Sequence, residues 1–227
     1  MEERLAHLLE EVEPHTVFQI GPVQITSSIV NMWAAMILLA VLLWLLTRRL
    51  SFMPRGAQTL LELLVEFIWG ITDPLMGRHG RKFLPVIGTF FVFILFLNFA
   101  WFIPGVIPPT SDLSVTAGLA VTAIIAVQVV AIRELGFRRY VGRFFKPFPP
   151  MVIMNLIEQV VRPFSLALRL FGNLFGEELV VGAFAALIPL LVPVPIMLLG
   201  LIFGFIQAFV FTTLTATYIA EAVEEQH

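Results

Sequence analysis

SLALRLFGNLFGEE, residues 165–178, lies inside an apolar run that extends from 151 to 188. Arg169, at its centre, is flanked by Leu168, Leu170 and Phe171, with no acidic residue within six positions on either side. An arginine at mid-bilayer costs about 3 kcal/mol on insertion scales, so such residues mark ion paths or buried pairs. The alternatives are a side chain that snorkels to the interface or one that pairs with another helix. Ser165, Arg169 and Asn173 recur at spacings of four and share one helical stripe, with Arg162 close to it. Arg162, near one end of the run, reads as an interfacial anchor. Glu177 and Glu178 fall about 12 and 13.5 Å further along the axis than Arg169, too far for a salt bridge. Glu178 points nearly opposite the arginine. Two glutamates near an interface, kept charged by water, are the plain reading; a proton path is the functional one.

The surroundings are those of a membrane protein. Of 227 residues 59% are hydrophobic and 13% charged, and the mean hydropathy is +0.93. Soluble domains carry nearer a quarter charged residues. A net charge of −2 identifies no binding face. Without cysteine there is no disulfide or thiolate chemistry, and four scattered histidines make no metal cluster, so neither metal nor cofactor is expected. The acidic, amphipathic N-terminus lacks the order of a signal or transit peptide and is expected to remain in the mature chain.

The expected fold is an all-α polytopic membrane protein. It has five transmembrane helices plus one interfacial amphipathic helix, with the last two spans forming a long, steeply tilted hairpin. Within this single membrane domain residues 1–27 are an N-terminal extracytoplasmic segment and 28–49 the first span. In 54–77 apolar positions recur at helical spacing while Gln58, Glu62, Glu66 and Asp73 take another side, which suits a helix lying along the interface. The second and third spans lie within 83–132, separated by a turn that Pro104, Gly105, Pro108 and Pro109 break. Asp112 reads as the N-cap of the third span. Residues 133–150 form a basic cytoplasmic loop, and 151–223 the long hairpin.

Charge distribution sets the orientation. One Lys or Arg precedes the first span, six separate the first and second, none the second and third, and five precede the hairpin. The positive-inside rule then puts the N-terminus outside and the C-terminus in the cytoplasm, for a chain of bacterial cytoplasmic membrane. The first hairpin arm, about 38 residues, would be roughly 57 Å long, against a hydrocarbon core of about 30 Å. It must therefore lie steeply or break near Pro163. Gly200, Gly204, Ala208 and Thr212 form a small-residue seam on the second arm, and Gly172 with Gly176 another on the first. Close arms would bring Gln207 near Arg169 or Asn173, as an interhelical hydrogen bond or as part of a path.

Arg162, Pro163, Ser165, Leu166, Leu168, Arg169, Leu170, Phe171, Gly172, Asn173 and Glu178 together resemble the signature of the subunit a family of F-type ATP synthases. Pro54, Gly56, Gln58, Glu62, Asn98, Pro104, Asp112, Thr116 and the Gln207-Ala-Phe-Val-Phe-Thr stretch extend the resemblance over most of the chain. It implies a non-catalytic, proton-conducting stator subunit that holds two offset half-channels against a rotating ring of c subunits. Arg169 would attract the ring carboxylate and separate the half-channels. Glu178, Asn173 and Gln207 would line the outer one and Ser165 the inner one, with Glu177, Asp112 and Glu158 as weaker candidates. The implied partners are the c ring, b-type peripheral stalk subunits, the rest of the complex and membrane lipid, and no nucleic acid. Two departures stand out. Some bacterial members have histidine seven residues before the glutamine of the last helix, where this chain has Gly200, and Glu158 with Asn155 resembles chloroplast-type members. A stand-alone transporter that binds an anion at Arg169 is the alternative, though no broken repeat segments support it. A structural scaffold would leave the buried charges unexplained.

Overall fold

The computed structural model describes residues 16–20, 23–48, 56–77, 80–100, 108–143, 151–187 and 193–224. Pro54, Pro104, Gly105 and the first fifteen residues, all of which figure in the sequence reading, lie outside these. Seven α-helices are present among the described residues: α1 Ser27–Thr47, α2 Ala57–Met76, α3 Gly80–Phe99, α4 Leu113–Leu135, α5 Phe137–Arg143, α6 Met151–Leu187 and α7 Pro193–Glu224. Four of them, α1, α3, α4 and α7 (within Pro195–Val223), are long and apolar enough to cross a membrane. The chain is a polytopic helical membrane protein. The charges that make α6 notable, Glu158, Arg162, Arg169, Glu177 and Glu178, dilute its hydropathy.

Two local elements escaped the sequence reading. Thr16–Ile20 and Val23–Thr26 pair as an antiparallel β-hairpin, so the N-terminal segment is not wholly helical or irregular. Alternating Val, Phe and Ile residues favour such a ribbon. The basic loop, in turn, contains the short helix α5, which starts after Gly136. That glycine, at φ 78°, takes the left-handed conformation that ends α4 without steric cost. Of the two alternatives for this arm, a steep helix or a break near Pro163, the break is absent: α6 runs unbroken through Pro163 for 37 residues. At 1.5 Å per residue it is about 55 Å long.

The core is a packed seam of α3, α4, α6 and α7, with Ile87, Phe91, Ile94, Leu97, Leu170 and Phe211 fully buried. Phe67 of α2 meets Phe91, Phe205 and Phe209, so the amphipathic helix is fastened to α3 and α7 through aromatic rings. Side-chain ties collect at two opposite ends of the bundle. At one end Lys82 pairs with Glu134, Gln128 donates to Gln159, and Tyr140 donates to Gln128. At the other, Thr26 Oγ1 donates to Asp112 Oδ2 (3.0 Å) and the 3-10 turn Pro109–Ser111 packs on α6. Helix α1 stands apart, mostly exposed. A cleft of ≈ 260 Å³ separates it from α3, lined by Asn31, Ala34, Ala35, Phe96 and Phe99.

Candidate functional site

The site is built on α6 and on the two elements it touches, α7 and the Pro109–Ser111 turn. From Gln159, tied to one end of the bundle, to Glu178, whose polar neighbour at the other end is Ser111, α6 advances nineteen residues. That is about 28 Å, close to the roughly 30 Å of a hydrocarbon core. Arg169 lies halfway.

Arg169 is exposed on the outside of the bundle, on an apolar face with Phe164 (64% exposed) and Leu168 (43%). Ser165 and Gly172, one turn away in either direction, are exposed beside it. It makes no hydrogen bond or ion pair among the described residues, and the side chain whose electrostatics it influences is Tyr218 of α7. A helical side chain leans towards the helix N-terminus, which turns the guanidinium to the Gln159 end and away from the glutamates. The other arginine behaves oppositely. Arg162 is mostly buried, donates to Glu158 (2.6 Å) and Glu221 (2.7 Å), and stacks over Tyr218 at 4.4 Å. It is therefore not a free anchor but a clamp between α6 and α7, and Glu158, one of the weaker candidates, is one jaw of it.

On the inner side of α6 the polar groups point into the protein. Glu178 is 7% exposed and Gln207 6%, with Asn173 and Glu177 half-buried. Asn173 Nδ2, Glu177 Oε1, Glu178 Oε2, Gln207 Nε2 and Thr212 Oγ1 are all buried without a hydrogen-bond partner. Leaving a buried polar group unsatisfied costs about 1–3 kcal/mol, and structural polar groups are nearly always paired. Five such atoms lie on two facing helices. Glu177 lies against Gly200 and Arg162 against Glu221, so the antiparallel register sets Gln207 about level with Asn173. No hydrogen bond joins Gln207 to Asn173 or to Arg169 among the described residues.

Asp112 is the N-cap of α4: its Oδ1 accepts from Ser114 N (2.8 Å) and Ser114 Oγ (2.7 Å), and Oδ2 from Thr26. With its oxygens occupied, it serves to anchor the turn that faces Glu178. The predicted seam of glycines is half correct. Gly200 and Gly204 are buried and in close contact, but Gly172 is exposed, Gly176 partly so, and neither has a neighbour within 4 Å of where a Cβ would stand. Sequence reading also missed Asn98 as a fastener. Asn98 Nδ2 donates to Gly204 O (3.0 Å) and its Oδ1 accepts from Thr110 Oγ1 (3.2 Å), joining α3, α7 and the turn. A lone Asn in the apolar run 83–102 was the available signal.

Fold and site together define a polytopic α-helical membrane protein with titratable and amide side chains arrayed through the depth of its bundle. The ATP synthase A chain family matches residues 29–220. A 54% identical relative, ATP synthase subunit a of Moorella thermoacetica, aligns over 95% of this chain and 99% of its own length. ATP synthase subunit a 1 of Syntrophotalea carbinolica is 43% identical over 88% of this chain and 86% of its own. ATP synthase subunit a of Trichlorobacter lovleyi is 42% identical over 88% of this chain and 89% of its own. The chain belongs to the ATP synthase A chain family, and it is a non-catalytic, proton-conducting stator subunit of an F-type ATP synthase.

Proposed function

We propose that this subunit carries protons through two offset half-channels separated by Arg169, delivering them to and collecting them from carboxyl groups on a ring of c subunits. The observation that carries this reading is the position of Arg169: a permanent charge at half depth, on an exposed apolar face, without an anionic partner among the described residues. An exposed cation at that depth is costly against lipid, and the cost is relieved when another subunit covers it and brings a negative charge. The small residues Ser165 and Gly172 on either side leave room for a partner helix to approach. Guanidinium keeps its proton throughout the physiological range, so it attracts a carboxylate without relaying the proton itself.

The outer half-channel runs past Ser111, Glu178, Asn173 and Gln207 towards the ring, and the inner one leaves past Ser165 near the Arg162 clamp. Five crossings, α1, α3, α4, α6 and α7, with the N-terminus outside a bacterial cytoplasmic membrane, fit the two sets of end ties. The basic residues Lys82, Arg133 and Arg138 accompany the Gln159 end. Helices α6 and α7 exceed the thickness of the core and cross obliquely, which suits a curved ring. Helix α2 lies at the interface, and the exposed α1 is the natural seat of b-type stalk helices.

The test is ATP-driven proton pumping into vesicles that hold the whole complex, with wild type compared with Arg169→Ala at equal assembly. Loss of pumping is expected. Undiminished pumping would return Arg169 to a structural role.

A further inference from the structure

Helix α4, with 23 residues, is about 34 Å long and carries its C-terminal end past a hydrocarbon core of about 30 Å. The chain turns at Gly136 and enters α5 at once, which sets this short helix at the level of the lipid headgroups. Residues 133–143, RELGFRRYVGR, contain four arginines and one acid. That acid, Glu134, is paired with Lys82 of α3. Arg138 and Arg139 are exposed and make no ion pair among the described residues.

A second feature separates α5 from a solvated basic loop. Phe137 and Val141, four residues apart and so on one side of the helix, are 67% and 39% exposed. On a helix they lie about 40° from one another, while Arg138 and Arg139 fall about 100° and 200° round from Phe137. Tyr140, about 60° round on the other side, is half-buried against the core. It donates to Gln128 of α4, which donates to Gln159 of α6. These bonds pin α5 to the bundle and decide what it leaves outside: an apolar edge beside two guanidinium groups.

We propose that α5 seats an anionic phospholipid, its phosphate on Arg138 and Arg139 and its acyl chains along Phe137 and Val141. Guanidinium donates two parallel hydrogen bonds to phosphate oxygens, which makes arginine the better partner for such a group than lysine. A net negative headgroup is favoured over a zwitterionic one, whose ammonium the same arginines repel. The apolar edge favours a lipid over free phosphate, which has nothing to cover Phe137. Burial of apolar side chains and attraction to anionic headgroups then add, as they do for interfacial helices in general. The site is independent of the half-channel reading and needs only that α4 crosses the bilayer.

The experiment is lipid retention by the assembled complex. Wild type and variants are reconstituted in equimolar phosphatidylcholine and phosphatidylglycerol, extracted again in mild detergent and washed. The two lipids held per complex are then counted by mass spectrometry, with subunit content checked on the same sample. Arg138→Gln/Arg139→Gln should lose at least one phosphatidylglycerol per complex and no phosphatidylcholine. Because both side chains are exposed, assembly should be intact, and each single substitution should give part of the loss. Phe137→Ser, which keeps both arginines, should lower phosphatidylglycerol retention several-fold. Arg48→Gln/Arg81→Gln removes two other exposed arginines, which stack on Trp44 and Trp69, and should retain lipid as wild type does. Wild-type retention in Arg138→Gln/Arg139→Gln would overturn the proposal. Equal loss in Arg48→Gln/Arg81→Gln would do so too, by reducing the site to general surface charge. Displacement of the lipid by inorganic phosphate in the wash, or unchanged retention in Phe137→Ser, would leave an anion site without a lipid's chain and overturn it as well. Loss of another subunit from Arg138→Gln/Arg139→Gln with phosphatidylglycerol unchanged would give the patch to an acidic protein segment instead.

Discussion

An arginine with no carboxylate partner among the described residues exerts its field on whatever approaches its face. The two arginines of α6 show the difference that context makes. Arg162, held between Glu158 and Glu221 and stacked on Tyr218, is spent on joining helices. Arg169, seven residues on, is not. Arg169→Lys should therefore be no rescue: an ammonium is a compact point charge that loses its proton when desolvated, whereas the guanidinium does not. Its pumping rate in vesicles is expected to fall close to that of Arg169→Ala, and a rate within twofold of wild type would count against a requirement for permanent charge. At this scale Arg169, Asn173, Glu178 and Gln207 were legible because ionisable and amide residues stand out against an apolar run. Gly200 was legible only as one of a series of small residues. That its missing side chain makes room for an acid from another helix depends on how α6 and α7 are registered.

Helices α3, α7 and the Pro109–Ser111 turn are joined through the side chain of Asn98. One amide donates to the backbone of α7 and accepts from Thr110, which is fully buried. Gly204 makes the approach possible, since a Cβ there would stand 3.1 Å from that of Asn98. Asn98→Leu keeps the volume but leaves the Thr110 hydroxyl without its acceptor, which costs about 1–3 kcal/mol. The purified subunit complex should lose this chain at a lower temperature than wild type, read as release during a thermal ramp in detergent. An unchanged release temperature would show that the turn is held by apolar packing alone. Helix positions were close to the sequence reading because hydropathy and proline mark them. The β-hairpin and α5 were not, being short and set by pairing and by Gly136, which a search for apolar spans passes over.

Seen whole, the molecule has one end that gathers Thr26, Asp112, Ser111 and Glu178 and another that gathers Lys82, Glu134, Gln128, Gln159 and the Arg162 clamp. The absence of cysteine makes this polarity directly measurable. In oriented vesicles a single Ser111→Cys is expected to react with an impermeant thiol reagent from the outer side only. A single Ser165→Cys should react from the cytoplasmic side, with protection when the ring is present. Reaction of both from one side would reverse or abolish the proposed orientation.

By itself the sequence determined the class of protein and the rough extent of its long helices, since both follow from composition and periodicity along the chain. Only the tertiary structure decided which arginine is clamped between helices, that Asp112, besides capping its helix, accepts from Thr26, that Gly172 and Gly176 lack close neighbours, and that Glu177 rests on Gly200. The physical reason is common to them. Each is a property of the register and facing of helices distant in sequence, and an apolar stripe can pack at several registers with similar hydrophobic gain. The choice among them is made by a few side-chain pairs, Arg162 with Glu221, Asn98 with Gly204 and Thr26 with Asp112.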